Sequence, residues 1–356
     1  MPELIVDKSK CLKNIERMVK KARVNGLSFR PHCKTHQSAE IASWFREFNV
    51  TKITVSSFSM ASYFAAAGWS DILVAFPFDP GQLTTLKKLS EKTEVSVLID
   101  NLEVLSHLKK VSRNVKFYID IDTGYGRTGI PAANLEQITR IIQESTANRH
   151  LTFSGFYCHA GHSYKTAVPA ERTAIHQRAI ADLTALKNEF SRFNPRVLYG
   201  DTPNCSTQSD FNGIDEITPG NFVFYDLIQH HLGSCNLEDI AVAVACPVVG
   251  KYPDHRRVVI HGGGVHFSKE QMVINNSLVF GQLLNPASSQ WMGIQPEQYI
   301  TSLSQEHGIL EHCGEWMEKV SIGQILKFLP VHSCMTANLL RNYKTTDGRL
   351  ITTNGT

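Results

Sequence analysis

Lys34 lies in the run Arg30-Pro31-His32-Cys33-Lys34-Thr35-His36, with a histidine two residues before it and another two after. A lysine held where a strand ends, with its charge partly desolvated, has a lowered pKa and forms Schiff bases with carbonyl compounds. In an extended segment residues two apart share a face, so His32, Lys34 and His36 are expected to point the same way. A solvated loop lysine is the competing reading, and the position of Lys34 in the fold must decide between the two.

Other groups carry chemistry by type and spacing. In Asp122-Thr123-Gly124-Tyr125-Gly126-Arg127-Thr128-Gly129, Arg127 is placed either to donate to the phenolic oxygen of a cofactor ring or to pair with Asp120 or Asp122. The run from Tyr157 through His159 and His162 to Tyr164 gathers two tyrosines and two histidines. Near the carboxy terminus, Pro330-Val331-His332-Ser333-Cys334 sets a histidine and a cysteine two apart. On a strand they project to one side, and imidazole with thiolate is a good zinc pair, at about 2.0 and 2.3 Å from the metal. Two protein ligands are too few for a structural site, so such a metal would be open to water or substrate. Gln305-Glu306-His307-Gly308 supports that pair or forms a simple turn.

The elements that position these groups alternate. Short β-branched or aromatic runs at 28–32, 52–56, 72–75, 95–99, 116–121, 151–158, 196–200 and 216–224 are separated by amphipathic stretches, at a spacing of roughly 20 to 45 residues typical of parallel βα units. In one such stretch Leu135, Ile138 and Ile142 define a buried helix face, and Pro131 reads as its start. Eight strands in this order predict a (β/α)8 barrel over residues 20–235. No glycine fingerprint follows the first strand, which argues against a dinucleotide-binding fold. From residue 236 onward apolar strand-like runs dominate (240–244, 257–260, 323–328), so residues 236–356, with strand 3–6 of segment 1–19 added, are expected to form a mostly β domain.

The barrel puts Lys34 at the carboxy-terminal end of the first strand, the face where barrels carry their chemistry. Gly200-Asp201-Thr202-Pro203-Asn204 and Thr218-Pro219-Gly220-Asn221 then follow strands seven and eight, where free backbone N–H groups and the Thr202 hydroxyl suit a phosphate. A lysine at one end and a phosphate cradle at the other are what pyridoxal 5'-phosphate requires.

Composition bounds the function. Charged residues are 19% and hydrophobic ones 42%, the balance of a globular protein. The net charge of +3 comes from scattered lysines and arginines, which argues against nucleic-acid or anionic-membrane binding. The run 240–250 is too short to span a bilayer, and the amino-terminal residues lack a signal-peptide pattern. Eight cysteines without paired spacings suit free thiols, so the cytosol is the expected compartment.

Taken in order along the chain, the Lys34 run, the Asp122–Gly129 turn, the Tyr157–Tyr164 cluster, Pro219-Gly220-Asn221, Glu306-His307-Gly308 and His332-Ser333-Cys334 resemble the D-serine dehydratase and D-threonine aldolase family, pyridoxal-phosphate enzymes of the alanine-racemase fold type. The resemblance implies that Lys34 carries the cofactor as a Schiff base, that Arg127, Tyr157, Tyr164, Thr202, Gly220 and Asn221 surround it, and that His332 and Cys334 hold zinc or another divalent metal. The His-x-Cys form looks like the zinc-dependent D-serine dehydratases; the aldolases more usually carry aspartate in place of the cysteine. Gln37 stands where a second lysine is common, and Met335 where proline is frequent. Thr218 replaces the arginine that precedes Pro-Gly in the racemases, which weakens a racemase reading.

The activity so implied is a lyase reaction on a β-hydroxy D-amino acid, D-serine to pyruvate and ammonia, with Lys34 as the base at Cα. A metal-dependent aldolase acting on D-threonine or D-3-hydroxyaspartate is the alternative, followed by a pyridoxal-phosphate-binding protein without turnover and by a metal-binding scaffold. The resemblance also implies a homodimer.

Overall fold

The computed structural model describes residues 1–285 and 293–355. They fall into two units, one made of Glu16–Lys34 and Ala42–Gly220, the other of Met1–Ile15, Thr35–Ile41 and the chain from Asn221 onward.

In the first unit eight parallel strands, Ser28–Phe29, Ile53–Val55, Asp71–Pro77, Glu94–Ile99, Val115–Asp122, Leu151–His159, Arg196–Gly200 and Glu216–Ile217, lie side by side in chain order from the second to the eighth. The eighth pairs back onto the first, Glu216 opposite Ser28, and a bridge between His32 and Thr54 joins the first to the second. The expected (β/α)8 barrel is therefore present. Leu73, Leu98, Tyr118, Tyr157 and Leu198 pack together as buried residues of five of its strands. Beside them is an ionic cluster: Arg30 donates to Glu216 at 2.5 Å and to Asp71 at 2.6 Å, and Lys52 pairs with Glu216 at 2.9 Å. Burial alone would raise the pKa of Glu216, but Arg30 and Lys52 outweigh it and hold the carboxyl below its ordinary value.

Some boundaries differ from the sequence expectation. The first and last barrel strands are only two residues long, because Pro31 and Pro219 lack the N–H that would continue each ladder. Residues 221–223 form a 3₁₀ turn instead of strand. Pro131 does not start a helix; it sits in the short strand Ile130–Pro131, and Asn134 caps the helix Leu135–Ser145 by accepting from the Gln137 amide. Leu135 is exposed there, and Ile138, Ile141 and Ile142 form the buried stripe.

The second unit is strand-rich, as expected. Its sheet runs Ile294–Ile300, Gly281–Leu284, Ile325–Pro330, Val242–Tyr252, Glu3–Val6, Tyr343–Thr345, Leu350–Ile351. Glu3–Val6 is antiparallel to Val242–Tyr252 and parallel to Tyr343–Thr345. Residues 240 to 244 are fully buried, which explains their unbroken apolar run. A register shift between Val248 and Gly250 lets Val242–Tyr252 also pair with Arg257–His261, which in turn pairs with His307–Leu310.

Candidate active site

In the barrel unit the chain leaves the first strand, makes the His32–Thr54 bridge, donates from the Cys33 amide to the Thr54 carbonyl at 2.8 Å and turns over residues 33–36. Lys34 is exposed on that turn while Cys33 is fully buried. The Lys34 amide donates to His32 Nδ1 at 3.3 Å. His32, Lys34 and His36 therefore do not share one face of a strand, contrary to the sequence expectation. His36, in the other unit, is buried and accepts the Ser38 amide at Nδ1 over 3.1 Å, and burial lowers its pKa to about 3.

The loop after the fifth strand is built on Asp122, whose carboxylate accepts from the amides of Gly124, Tyr125 and Gly126 at 2.8 to 3.1 Å. Asp120, raised to about 6 chiefly by burial, accepts from Thr128 Oγ1 at 2.8 Å. Arg127 is exposed and sits 5.0 Å above the Tyr125 ring. A side chain at Gly161 would reach within 2.5 Å of Tyr125, so glycine at 161 lets that ring close on the loop after the sixth strand. Tyr125 and Tyr164 flank His159 at 6.0 and 6.3 Å between ring centroids. Burial, then the charges of Lys34 and Arg127, lower the His159 pKa to about 3, so this ring is neutral at physiological pH.

Tyr164 accepts the Thr202 amide at 3.2 Å through its hydroxyl. Thr202 opens the helix Thr202–Thr207, capped by Asp201, which also accepts from Ser163 Oγ at 2.9 Å. The hydroxyls of Thr202 and Thr218 are buried with an open hydrogen-bond valence. Gly200 makes room for the second of these, since a Cβ there would fall 2.3 Å from Thr218 Oγ1. Tyr157 is buried in the barrel, and burial drives its pKa well above the ordinary tyrosine value.

In the strand-rich unit the strand Ile325–Pro330 stops before His332, which caps the helix Ser333–Leu340 from an extended backbone. The two candidate ligands thus do not lie on a strand; the turn into the helix brings them together. Burial, the largest single influence, opposes ionisation of both, yet the hydrogen bond and the charge attraction between them, with Asp226 and Glu270 acting on His332 and the Thr35 hydrogen bond on Cys334, together outweigh it, raising the His332 pKa and lowering that of Cys334. Asn221 Nδ2 donates to Cys334 Sγ at 3.4 Å, Thr35 Oγ1 lies 3.3 Å from the same sulfur, and Glu270 stands 3.9 Å from His332 Nδ1. Behind them the buried Asp226 accepts from Asn221 Nδ2 at 2.6 Å and from the Ser333 amide and hydroxyl at 2.9 and 3.2 Å.

The alanine racemase, N-terminal domain model matches residues 6–226, more than half of the chain. The chain belongs to this family. The resemblance to the D-serine dehydratase branch is borne out by a second match, the putative serine dehydratase domain, over residues 241–346. The chain is 29% identical to a D-serine dehydratase of Dictyostelium discoideum, over 96% of this chain and 92% of that one. It is 27% identical to a D-threo-3-hydroxyaspartate dehydratase of Delftia sp. strain HT23, covering 94% and 91%. A solved metal-free variant of a D-threo-3-hydroxyaspartate dehydratase superposes with a TM-score of 0.92 at 25% identity, over 99% and 97% of the two chains.

Within the family framework, the barrel unit holds Lys34, Arg127, Tyr157, Tyr164, Thr202 and Gly220, and the strand-rich unit holds Asn221, His332 and Cys334. Sequence reasoning missed Asp226, and it quoted Thr35, His159 and Asp201 within their motifs without giving Thr35 or Asp201 a role of its own. Asp226 and Asp201 read as ordinary helix caps, which they are, and nothing in a cap signature reveals the second set of bonds each makes.

Proposed function

We propose that the protein is a pyridoxal-phosphate lyase that dehydrates a β-hydroxy D-amino acid, with D-serine, giving pyruvate and ammonia, the first substrate to test. The relatives that support this reading dehydrate such amino acids by name. The observation that carries it is the hydrogen-bonded His332–Cys334 pair, whose sulfur is braced by Asn221 and Thr35. A thiolate with an imidazole is the donor set of a soft or borderline divalent ion, and zinc fits it.

The barrel residues fit the cofactor. Lys34 is an exposed amine just beyond a barrel strand, the buried Thr202 hydroxyl lacks a partner that a phosphate oxygen would supply, and Thr218, hydrogen-bonded to Tyr157, keeps a valence for a ring nitrogen. When bound, pyridoxal phosphate supplies an electron sink for a carbanion at Cα, and the metal supplies Lewis acidity to a departing hydroxyl. Lys34 Nζ would hold the cofactor and would be the base for the Cα proton. Arg127, Tyr157 and Tyr164 are the residues that would hold the cofactor ring, and Thr202, Gly220 and Asn221 those that would hold its phosphate. The neutral His159 offers no second positive charge beside Lys34. All eight cysteines are free thiols, which supports a cytosolic location, and no helix among the described residues is long and apolar enough to cross a membrane. We also propose that the enzyme works as a homodimer.

The test is product analysis with D-serine, D-threonine and D-3-hydroxyaspartate, reading keto acid and aldehyde separately. Pyruvate from D-serine, lost on chelation and restored by zinc, is the expected result. Glycine with an aldehyde as the products from D-threonine, and no keto acid from any of the three, would sink the dehydratase reading.

A further inference from the structure

The motif around Glu306 is used neither by Lys34 nor by the His332–Cys334 pair. It lies where Arg257–His261 pairs antiparallel with His307–Leu310, His261 opposite His307. After His261 come three glycines. The Gly262 amide donates to the Glu306 carbonyl and the Gly264 amide to the Ser304 carbonyl, both at 2.8 Å. A Cβ at Gly263 would fall 2.3 Å from the Gln305 carbonyl oxygen, and one at Gly308 would fall 2.6 Å from that of Gly262. Only glycine lets the two backbones come so close. The short helix Gly264–Phe267 then returns His266 toward His261.

The side chains converge as a result. His261 Nε2 is 3.4 Å and His266 Nε2 3.8 Å from Glu306 Oε2, and one ligand atom from each of the three residues lies within 4.8 Å of the others. A tetrahedral ion with bonds of about 2.0–2.1 Å spaces its ligands by roughly 3.4 Å, so the set needs only a small contraction to close on one. We propose that His261, His266 and Glu306 form a second divalent-metal site, three protein ligands with a further position for water, sharing no residue with the His332–Cys334 pair. Two imidazoles and a carboxylate suit zinc and its first-row neighbours.

The site is the weaker of the two, for a structural reason. His266 Nδ1 accepts the Gly263 amide at 3.2 Å, so the ring proton now sits on Nε2. Ligation through Nε2 moves that proton to Nδ1 and gives up the hydrogen bond, a loss of roughly tenfold in affinity. The competing reading is a histidine–carboxylate cluster that binds nothing.

Cobalt(II) distinguishes them on the full-length, chelator-treated protein, because a thiolate ligand adds a near-ultraviolet charge-transfer band that a nitrogen–oxygen set lacks. The expected result is one cobalt per chain in H332A/C334A, without the thiolate band and with a raised melting temperature, and loss of that cobalt when H261A/E306Q is added. In the otherwise native chain H261A/E306Q should lower the cobalt bound from two equivalents to one and leave the thiolate band in place. Absence of cobalt from a folded H332A/C334A protein, or unchanged binding after H261A/E306Q, overturns the proposal. Should either double variant lose its circular dichroism, His266→Gln in the native background gives the same two-to-one readout.

Discussion

In the barrel unit Thr202 and Thr218 keep buried hydroxyls with an open valence, whereas in the strand-rich unit Asp226 accepts four hydrogen bonds and fixes Asn221 and Ser333 around Cys334. At Thr202 the barrel leaves a buried polar atom waiting for a ligand; around Cys334 the polar atoms of Asn221, Ser333 and Asp226 are spent on one another and on the sulfur. Open valences remain in the strand-rich unit too, at Asn221 Oδ1, Gln229 Oε1 and Ser234 Oγ among others. The contrast suits the proposed division of work, in which the barrel would bind a large cofactor through many weak contacts and the His332–Cys334 pair would grip an ion through two strong ones.

The largest effect expected is that of Lys34→Ala, which removes the amine proposed to anchor the cofactor and to take the Cα proton. Activity should fall by at least about 10⁴-fold. The visible absorbance of the bound cofactor should be lost with it, while bound zinc, measured by atomic absorption, stays. Retained turnover would break the assignment of chemistry to the barrel.

Cys334→Ala should produce the mirror image. The zinc equivalent held at His332 and Cys334 is lost and kcat/KM falls by about 10³-fold, close to 4 kcal/mol, while the cofactor spectrum is unchanged. A variant that lost cofactor and metal together would show that the two regions are not separable in this way.

The two units also differ in how they meet acid. Glu216 is fully buried beside Arg30 and Lys52, and its pKa in the folded chain is held below the unfolded value. Its contribution is therefore fully present above the unfolded carboxylate pKa of about 4.3 and is lost as pH falls through the lower folded value. The strand at 242–246 of the other unit is buried and apolar and carries no such dependence. Hydrogen exchange at falling pH should show the barrel strands opening first. Glu216→Gln, which takes the carboxylate from Lys52 and leaves Arg30 with Asp71 alone, should cost about 3 kcal/mol at neutral pH and flatten that acid dependence.

How much of this was legible in the sequence follows from the kind of signal each feature leaves. The eight barrel strands leave a periodic apolar signal, and their number and order were readable. Their ends were not, because Pro31 and Pro219 stop the ladders through missing N–H groups while the chain stays extended and apolar. The Lys34 run and His332-Ser333-Cys334 stood out by residue type, yet each was assigned the wrong backbone. Lys34 lies on a turn, and His332 and Cys334 flank a helix start, so the period-two argument that singled them out does not describe how they are held. The roles of Asp226 and Thr35 were invisible for the opposite reason: their bonds join positions more than a hundred residues apart, and no local pattern records that.

The smallest expected effect is the most specific test of the contrast. Thr202→Val keeps the shape of a buried side chain and removes a hydroxyl that has no partner in the ligand-free chain. A buried polar group without a partner lowers stability, so the cofactor-free variant should gain about 1 kcal/mol in urea unfolding. The same hydroxyl gains a partner when phosphate binds, so cofactor affinity should drop by about tenfold, measured by equilibrium dialysis of pyridoxal phosphate. The two changes have opposite signs only if the open valence belongs to a ligand site. A loss of stability in the cofactor-free protein would mean that Thr202 is already satisfied and that the barrel, like the strand-rich unit, keeps its polar groups for its own packing.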